Sequence, residues 1–219
     1  MFKTELHCHS KGASPCARVN GEEIVEKFSK SGYSTLVLSN HFGQNVYEIY
    51  GFTDWQAFVD NFVGEYETVK RAAAEKLNVL LGIELRFVQN DNDYLVLGIT
   101  EEFLRANPFF YTMTVAEFHE ICKEQGFLLI QAHPFRNRMV IIPPSHLDGV
   151  EVFNGHFGHD SRNEIAELWA EKYSLLKTSG TDFHYADVPT NGGILTESKI
   201  QNMQELVEVL KSGNYQLIK

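Results

Sequence analysis

Short apolar runs alternate along the chain with segments whose apolar residues recur every three or four positions. Phe2–Leu6 predicts a first strand, followed by a loop containing Gly, Ser and Pro. In Gly21–Ser31 (GEEIVEKFSKS), Ile24, Val25 and Phe28 share one helical face, and Gly32 follows as a helix-ending glycine. Ser34–Ser39 predicts a second strand, and an aromatic loop then runs to about Thr53. A long helix is expected over Asp54–Leu77, with Asp54 as its N-cap. Further strands are expected at Val79–Glu84, Tyr94–Ile99, Phe127–Gln131, Gly149–Val152, Leu175–Thr178 and Tyr215–Ile218, with helices near Thr114–Gln125, Ser161–Lys172 and Met203–Ser212. Strand-then-helix units with fully apolar strands predict a parallel sheet covered on both faces. Seven or eight such units in one domain of 219 residues favour an α/β fold closed into a TIM-like barrel.

The chain is 43% hydrophobic and 22% charged, a globular balance. Its 29 acidic against 19 basic side chains give a formal charge of −10, which disfavours long nucleic acid or an anionic membrane as a partner. No apolar run approaches the ~20 residues needed to cross a bilayer. Three cysteines are an odd number and suggest no disulfide framework. With no visible secretory leader at the start, a cytoplasmic location is the expectation. The nine histidines point elsewhere, to metal or proton chemistry.

The polar residues fall where chemistry would need them. Apolar runs end in His7 and His9, in His41, in Glu84, in His133, and in Asp182 and His184. In a barrel those strand ends share the face that holds active sites. Residues two apart on a strand point the same way, so His7 with His9, and Asp182 with His184, can share an ion. Each signal alone is weak: the simpler reading of His133 is a strand cap, and that of Glu84 is a buried carboxylate paired with Arg86. A buried charged cluster is costly unless it is paired or holds a metal, so the conjunction favours metal. Cys8, between two histidines, should face the opposite side and pack. Cys16 is a weaker ligand candidate. His156 and His159 are read as loop residues, with His156 placed as a substrate contact. His119 and His146 are read as surface or structural.

The motifs LHCHS (Leu6–Ser10), Asn40–His41, GIE (Gly82–Glu84), QAHPFR (Gln131–Arg136), GVEVFN (Gly149–Asn154) and SGTDFH (Ser179–His184) together resemble the polymerase and histidinol phosphatase (PHP) family of metal-dependent phosphoesterases. The resemblance runs from about residue 4 to about residue 194. It implies a distorted seven-stranded β/α barrel holding one to three divalent ions (Zn, Mn or Fe). It implies that His7, His9, Glu84 and Asp182 hold the first ion, that Glu84 bridges to a second bound by His133, and that a third sits with His41 and His184. Three positions depart from the family's usual residues. Leu95 stands where the second ion usually gains a histidine, Ser14 where an acid is usual, and Asn40 where Asp is common.

Paired divalent ions provide a hydroxide at neutral pH and clamp phosphoryl oxygens. Hydrolysis of a small phosphorylated metabolite or nucleotide by a metal-bound hydroxide is therefore expected, with Glu84 and Asp182 as catalytic residues. Arg136 would grip the phosphate through its guanidinium fork, with Arg18 and Arg138 as second candidates. The aromatic residues of Asn40–Trp55 form either a wall for a substrate ring or, more simply, loop packing. A catalytically silent metal-binding or sensing barrel is the alternative. An amidohydrolase-like C–N hydrolase ranks lower, because Glu84 stands where such barrels place a modified lysine. The oligomeric state is open.

Overall fold

Five of the seven α-helices in this chain start at a side chain that accepts from an otherwise unpaired N–H group. In the computed structural model, which describes residues 1–219, Asn20 and Thr114 each form a reciprocal capping box, with Glu23 and Glu117. Asp54 accepts from the Ala57 N–H at 2.8 Å, as the sequence predicts. The elements run β1 (Phe2–Cys8), α1 (Gly21–Lys30), β2 (Tyr33–Leu38), β3 (His41–Gly43), α2 (Gln44–Ile49), α3 (Trp55–Ala73), β4 (Asn78–Leu81), β5 (Ile83–Arg86) and β6 (Asp93–Leu97). They continue with α4 (Glu101–Ala106), α5 (Val115–Gln125), β7 (Leu128–Gln131), β8 (Gly149–Asn154), α6 (Asn163–Tyr173), β9 (Leu176–Gly180), β10 (Ile194–Thr196), α7 (Met203–Ser212) and β11 (Gln216–Leu217).

The α/β class holds, but the closed seven-stranded barrel does not describe this arrangement. The strands form two mixed sheets, one of five in the order β11-β10-β1-β2-β4 and one of six in the order β3-β5-β6-β7-β8-β9. Antiparallel pairs include β5–β6, joined by a turn too short for a crossover helix, β6–β7, joined across α4 and α5, and β1–β10. The turn after Phe87 brings β6 back along β5, pairing Arg86 with Asp93 and Glu84 with Leu95. β10 likewise runs antiparallel to β1.

Two breaks carry the chain from one sheet to the other. Ser39 and Asn40 separate β2 from β3, and Gly82 separates β4 from β5, so the expected single strand Val79–Glu84 is two. The ladder persists across both breaks, through Gly82 N–H to Leu38 O at 3.1 Å and Glu84 N–H to Asn40 O at 3.0 Å. A Cβ at Gly82 would lie 2.5 Å from Val37 Cγ1, so only glycine fits that crossing. At the other seam β1 meets the chain beyond β9 through a parallel bridge between Cys8 and Phe183.

The aromatic stretch Asn40–Trp55 packs inward, as its simpler reading held. Phe42 is 1% and Trp55 6% exposed. The Phe42 ring lies 4.5 Å from Phe58, 5.1 Å from Phe62 and 5.5 Å from Phe110, centroid to centroid. The Trp55 indole N–H donates to Leu104 O at 2.8 Å, satisfying its one polar atom. Phe42 follows His41 directly, so this cluster also anchors one edge of the polar site. Phe42→Ala is expected to lower unfolding free energy by about 3–5 kcal/mol, as buried Phe truncations do, measured by urea denaturation.

Candidate metal centre

Five strand ends deliver the polar residues to one place. His7 and His9 flank Cys8, whose side chain packs on the opposite side in an apolar cluster with Phe28 and Phe183. His41 opens β3 and is in register with Glu84 on β5. His133 follows β7, and Asp182 and His184 follow β9. Both His133 (φ +30°) and Asp182 (φ +52°) adopt left-handed backbone, which costs roughly 1–3 kcal/mol each in a non-glycine residue. Gly180 permits the approach of β9 to β1: a Cβ there would sit 2.4 Å from His7 Cβ.

Glu84, fully buried, is the hub. Its Oε1 lies 3.0 Å from His7 Nε2 and 3.2 Å from His133 Nε2, and its Oε2 lies 2.8 Å from His41 Nδ1 and 3.3 Å from His9 Nε2. Asp182 Oδ1 lies 3.5 Å from both His7 Nε2 and His9 Nε2, and 3.3 Å from His184 Nδ1. Ligand-type atoms gather within 4.8 Å of one another in four overlapping trios: His9–His41–His184, His7–Glu84–His133, His7–His9–Asp182 and His41–Glu84–Asp93. His7 Nε2 and His9 Nε2, which face Glu84 and Asp182, are buried without a well-aligned hydrogen-bond partner. Native proteins rarely leave buried polar atoms unpaired, and lone pairs of imidazole and carboxylate are what a divalent cation requires. The donor set fits such ions.

Hydrogen bonds behind the cluster fix which nitrogens face inward. His7 Nδ1 donates to Glu151 Oε1 at 2.9 Å, so Nε2 is the atom that becomes a lone pair when the ring gives up its second proton. Glu151 is held in turn by the His133 N–H at 3.0 Å and Asn154 Nδ2 at 2.9 Å. The Ser10 N–H donates to Asn40 Oδ1 at 2.7 Å, which settles the orientation of that amide. The Ser14 hydroxyl must then donate to Asn40 Oδ1, 2.8 Å away. Its lone pairs accept from the His41 N–H at 2.9 Å and from His9 Nδ1 at 3.1 Å. His9 therefore also presents Nε2 as a lone pair. At positions 14 and 40 a neutral serine–amide pair does this orienting.

Opposite charges set the protonation of the cluster. Burial opposes charge on His7, but the carboxylates of Glu84 and Glu151 raise it well above the usual histidine range. Burial also opposes charge on His41, which Glu84 raises well above that range. Against its own burial, the Asp182 side chain lifts His184 to about 10. Glu84 and Asp182 are held well below ordinary carboxylates despite burial, chiefly by His7. His9 is pushed well down, by burial and by the neighbouring His184 and His41. Cys16 is exposed, with Sγ 3.2 Å from His184 Nε2. Burial works against its ionisation, yet hydrogen bonds from His184 and His41 bring the thiol down to about 6.

Two acids absent from the sequence reading stand beside these residues. Glu151 is one. Asp93, at the end of the polar stretch Asn90–Asp93, is the first residue of β6 and is gripped by the Arg86 fork at 2.7 Å and 2.7 Å. It lies on the same face as Leu95, two residues on, and 3.9 Å from His133 Nε2. Leu95 itself is a buried apolar residue opposite Glu84. Strict alternation along Asp93 and Leu95 was the signal that could have found it.

The proposed phosphate contacts are differently disposed. Arg136 Nη2 donates to Asn154 Oδ1 (2.8 Å), Asp182 Oδ2 (3.0 Å) and Ser161 Oγ (3.2 Å), so that nitrogen is spent holding Asp182. Arg18 Nη1 donates to Pro15 O and Ala17 O in its own loop. Arg138 is exposed, with φ +73°. The His156 ring lies 5.5 Å from that of His184, at the mouth, and burial lowers it to about 4. His159 packs on His156, ring centroids 4.8 Å apart. His119 is buried rather than at the surface, its Nε2 3.4 Å from Asp148.

An α/β scaffold whose strand ends gather imidazoles around shared carboxylates defines a class of metal-binding proteins. The PHP domain family model matches residues 5–216, and the chain belongs to that family. No curated protein matches it in sequence. In fold it is similar to a two-domain protein from Bacteroides vulgatus containing a predicted PHP-like metal-dependent phosphoesterase (TM-score 0.68, 15% identity), covering 99% of this chain and 64% of that one. It is also similar to PsfC from Pseudomonas syringae (TM-score 0.69, 15% identity), covering 94% of this chain and 87% of that one. A third likeness is to the lesion-specific endonuclease PfuEndoQ from Pyrococcus furiosus (TM-score 0.63, 13% identity), covering 99% of this chain and 57% of that one. At these identities the likeness is one of fold.

Cations and protons compete for the same lone pairs. Because His7, His41 and His184 hold protons at neutral pH, binding of Mn²⁺ or Zn²⁺ should release protons and tighten as pH rises. Ser14→Ala should weaken that binding by about 10–100-fold, read by competition with a chromophoric chelator while circular dichroism stays unchanged.

Proposed function

We propose that residues 1–219 act as one domain, a divalent-metal-dependent phosphoesterase that hydrolyses a small phosphorylated metabolite or nucleotide. The observation that carries this reading is the buried, unpartnered donor set around Glu84. His7, His9, Glu84 and Asp182 would hold one cation, Glu84 with His133 and Asp93 a second, and His41 with His184 and Cys16 a third. Such cations, when bound, neutralise phosphoryl charge and lower the pKa of water.

The chain's own residues hold that chemistry in place. Glu84 and Asp182 supply buried negative charge at fixed positions. Arg136 and Asn154 hold Asp182 Oδ2, so Oδ1 stays turned to His7 and His9. Arg136 Nε is buried without a partner, and the hydrogen bonds that hold Asp182 use Nη2, so the other guanidinium nitrogens are left for a phosphoryl oxygen. Arg136 would thus position Asp182 and contact substrate through different nitrogens. The formal charge of −10 supports a small anion, drawn in by cations, over a long polynucleotide. No helix is long and apolar enough to cross a membrane, and three free cysteines suit a reducing cytoplasm.

The test is turnover of p-nitrophenyl phosphate with added Mn²⁺ or Zn²⁺. His9→Ala should reduce it to background. Metal binding with no turnover across a phosphoester panel would instead favour a silent metal-binding protein. Arg136→Ala should both raise KM and lower kcat, because positioning and contact are lost together. Unchanged values of both constants would remove Arg136 from the site.

A further inference from the structure

Resting on the phosphoesterase reading, we infer that the centre is built to hold unlike metals, with Cys16 making the position beside His41 and His184 selective for Zn²⁺ over Mn²⁺. Among the four trios of ligand-type atoms, His9–His41–His184 is the one without a carboxylate. Each of the other three includes Glu84 or Asp182. The donor that completes the carboxylate-free position is the thiol of Cys16.

Local structure brings the sulfur there. Cys16 lies on the loop between β1 and α1. The Arg18 N–H donates to His184 O at 2.9 Å, which clips this loop to the segment that carries His184. Cys16 Sγ then stands 3.2 Å from His184 Nε2. His184 Nδ1 donates to Asp182 O at 2.9 Å, so Nε2 is the atom that becomes a lone pair when the ring gives up its second proton. His41 turns its Nδ1 to Glu84 Oε2 at 2.8 Å, which leaves Nε2 for the position beside Cys16. The buried His9 ring closes the inner side, 4.2 Å from His184 and 4.5 Å from His41, and its Nε2 has no well-aligned partner. A sulfur and a nitrogen on one tetrahedral zinc lie about 3.5 Å apart, close to the spacing that Cys16 and His184 already hold.

Ligand softness decides which ion enters. Thiolate and imidazole suit Zn²⁺, whereas Mn²⁺ favours carboxylate and water oxygen. Glu84 and Asp182 give the neighbouring positions such oxygens, so those accept either ion. The other two cysteines take no part, because Cys8 and Cys122 are fully buried in apolar clusters. Cys16 is exposed, so an ion held there keeps a side open to solvent.

The test replaces the metal with Co²⁺, which reports its own ligands. Wild-type protein loaded with Co²⁺ should show thiolate-to-metal charge-transfer absorption in the near ultraviolet, and Cys16→Ser should lose it. By equilibrium dialysis, Cys16→Ser should bind Zn²⁺ at that position more weakly by at least the roughly 10–100-fold that loss of an outer-shell partner costs, with Mn²⁺ binding unchanged. Cys16→Asp should reverse the preference, gaining Mn²⁺ affinity and losing Zn²⁺ affinity. Circular dichroism checks that both variants fold. Cobalt-loaded wild type without the sulfur band, or Zn²⁺ binding unchanged in Cys16→Ser, would overturn the inference. Turnover of p-nitrophenyl phosphate reports separately on the phosphoesterase reading, whose failure would leave the sulfur band in place.

Discussion

Burial of the Glu84 carboxylate is the constraint around which the rest of the structure is arranged. An isolated carboxylate in a protein interior is prohibitively costly, so it must be neutralised where it stands. Four imidazoles surround its two oxygens within 3.3 Å, and Asp182 adds a second buried charge that those imidazoles must also balance. The cluster is sustained by positive charge, and protons and divalent cations are interchangeable sources of it. That dependence explains why so much local distortion is tolerated nearby. His133 and Asp182 hold left-handed backbone, and Gly180 and Gly82 leave no room for a Cβ. The turn at His133 brings its Nε2 to 3.2 Å from Glu84, and that at Asp182 brings Oδ1 within 3.5 Å of His7 and His9.

A second layer turns that cluster into a directional one. The backbone N–H of Ser10 determines the orientation of Asn40, Asn40 determines that of the Ser14 hydroxyl, and Ser14 determines which nitrogen of His9 carries the proton. None of these three groups needs charge to do this. His7 and His9 titrate in opposite directions, His7 raised against its burial by the Glu84 and Glu151 carboxylates and His9 lowered by burial and by His184 and His41. The same strand therefore presents one imidazole that keeps a proton and another that gives it up readily.

Much of this was legible in the chain because strand ends punctuate apolar runs. His7, His9, His41, Glu84, His133, Asp182 and His184 each interrupt such a run, and parallel strands bring their ends together. The cap at Asp54 and the helix it begins follow from local chemistry alone. The sheets were less legible. Antiparallel return of β6 depends on a turn whose composition, Asn90–Asp93, masked Asp93 as a strand residue. Glu151 was hidden for a related reason. It lies inside an apolar strand rather than at its end, and only the pairing of β8 with β9 aims it at His7. Arg136 lies on the expected loop, but its partners are separated from it by 18, 25 and 46 residues, beyond any local pattern.

The two interrupted strands show how the fold and the site depend on one another. Had β2 continued straight into β3, and β4 into β5, His41 and Glu84 would have stayed in the five-stranded sheet. The breaks at Ser39–Asn40 and Gly82 pass both residues together to the second sheet while keeping them in register. Asn40, the residue released by the first break, is the one whose side chain orients Ser14 and whose carbonyl accepts from the Glu84 N–H. The discontinuity thus frees an amide side chain for the second layer in the same step that aligns the first. On the far side of Phe42 the aromatic cluster resists displacement of this crossing, because moving His41 would unpack rings that bury a large apolar area. The polar centre owes its geometry to apolar packing one residue away.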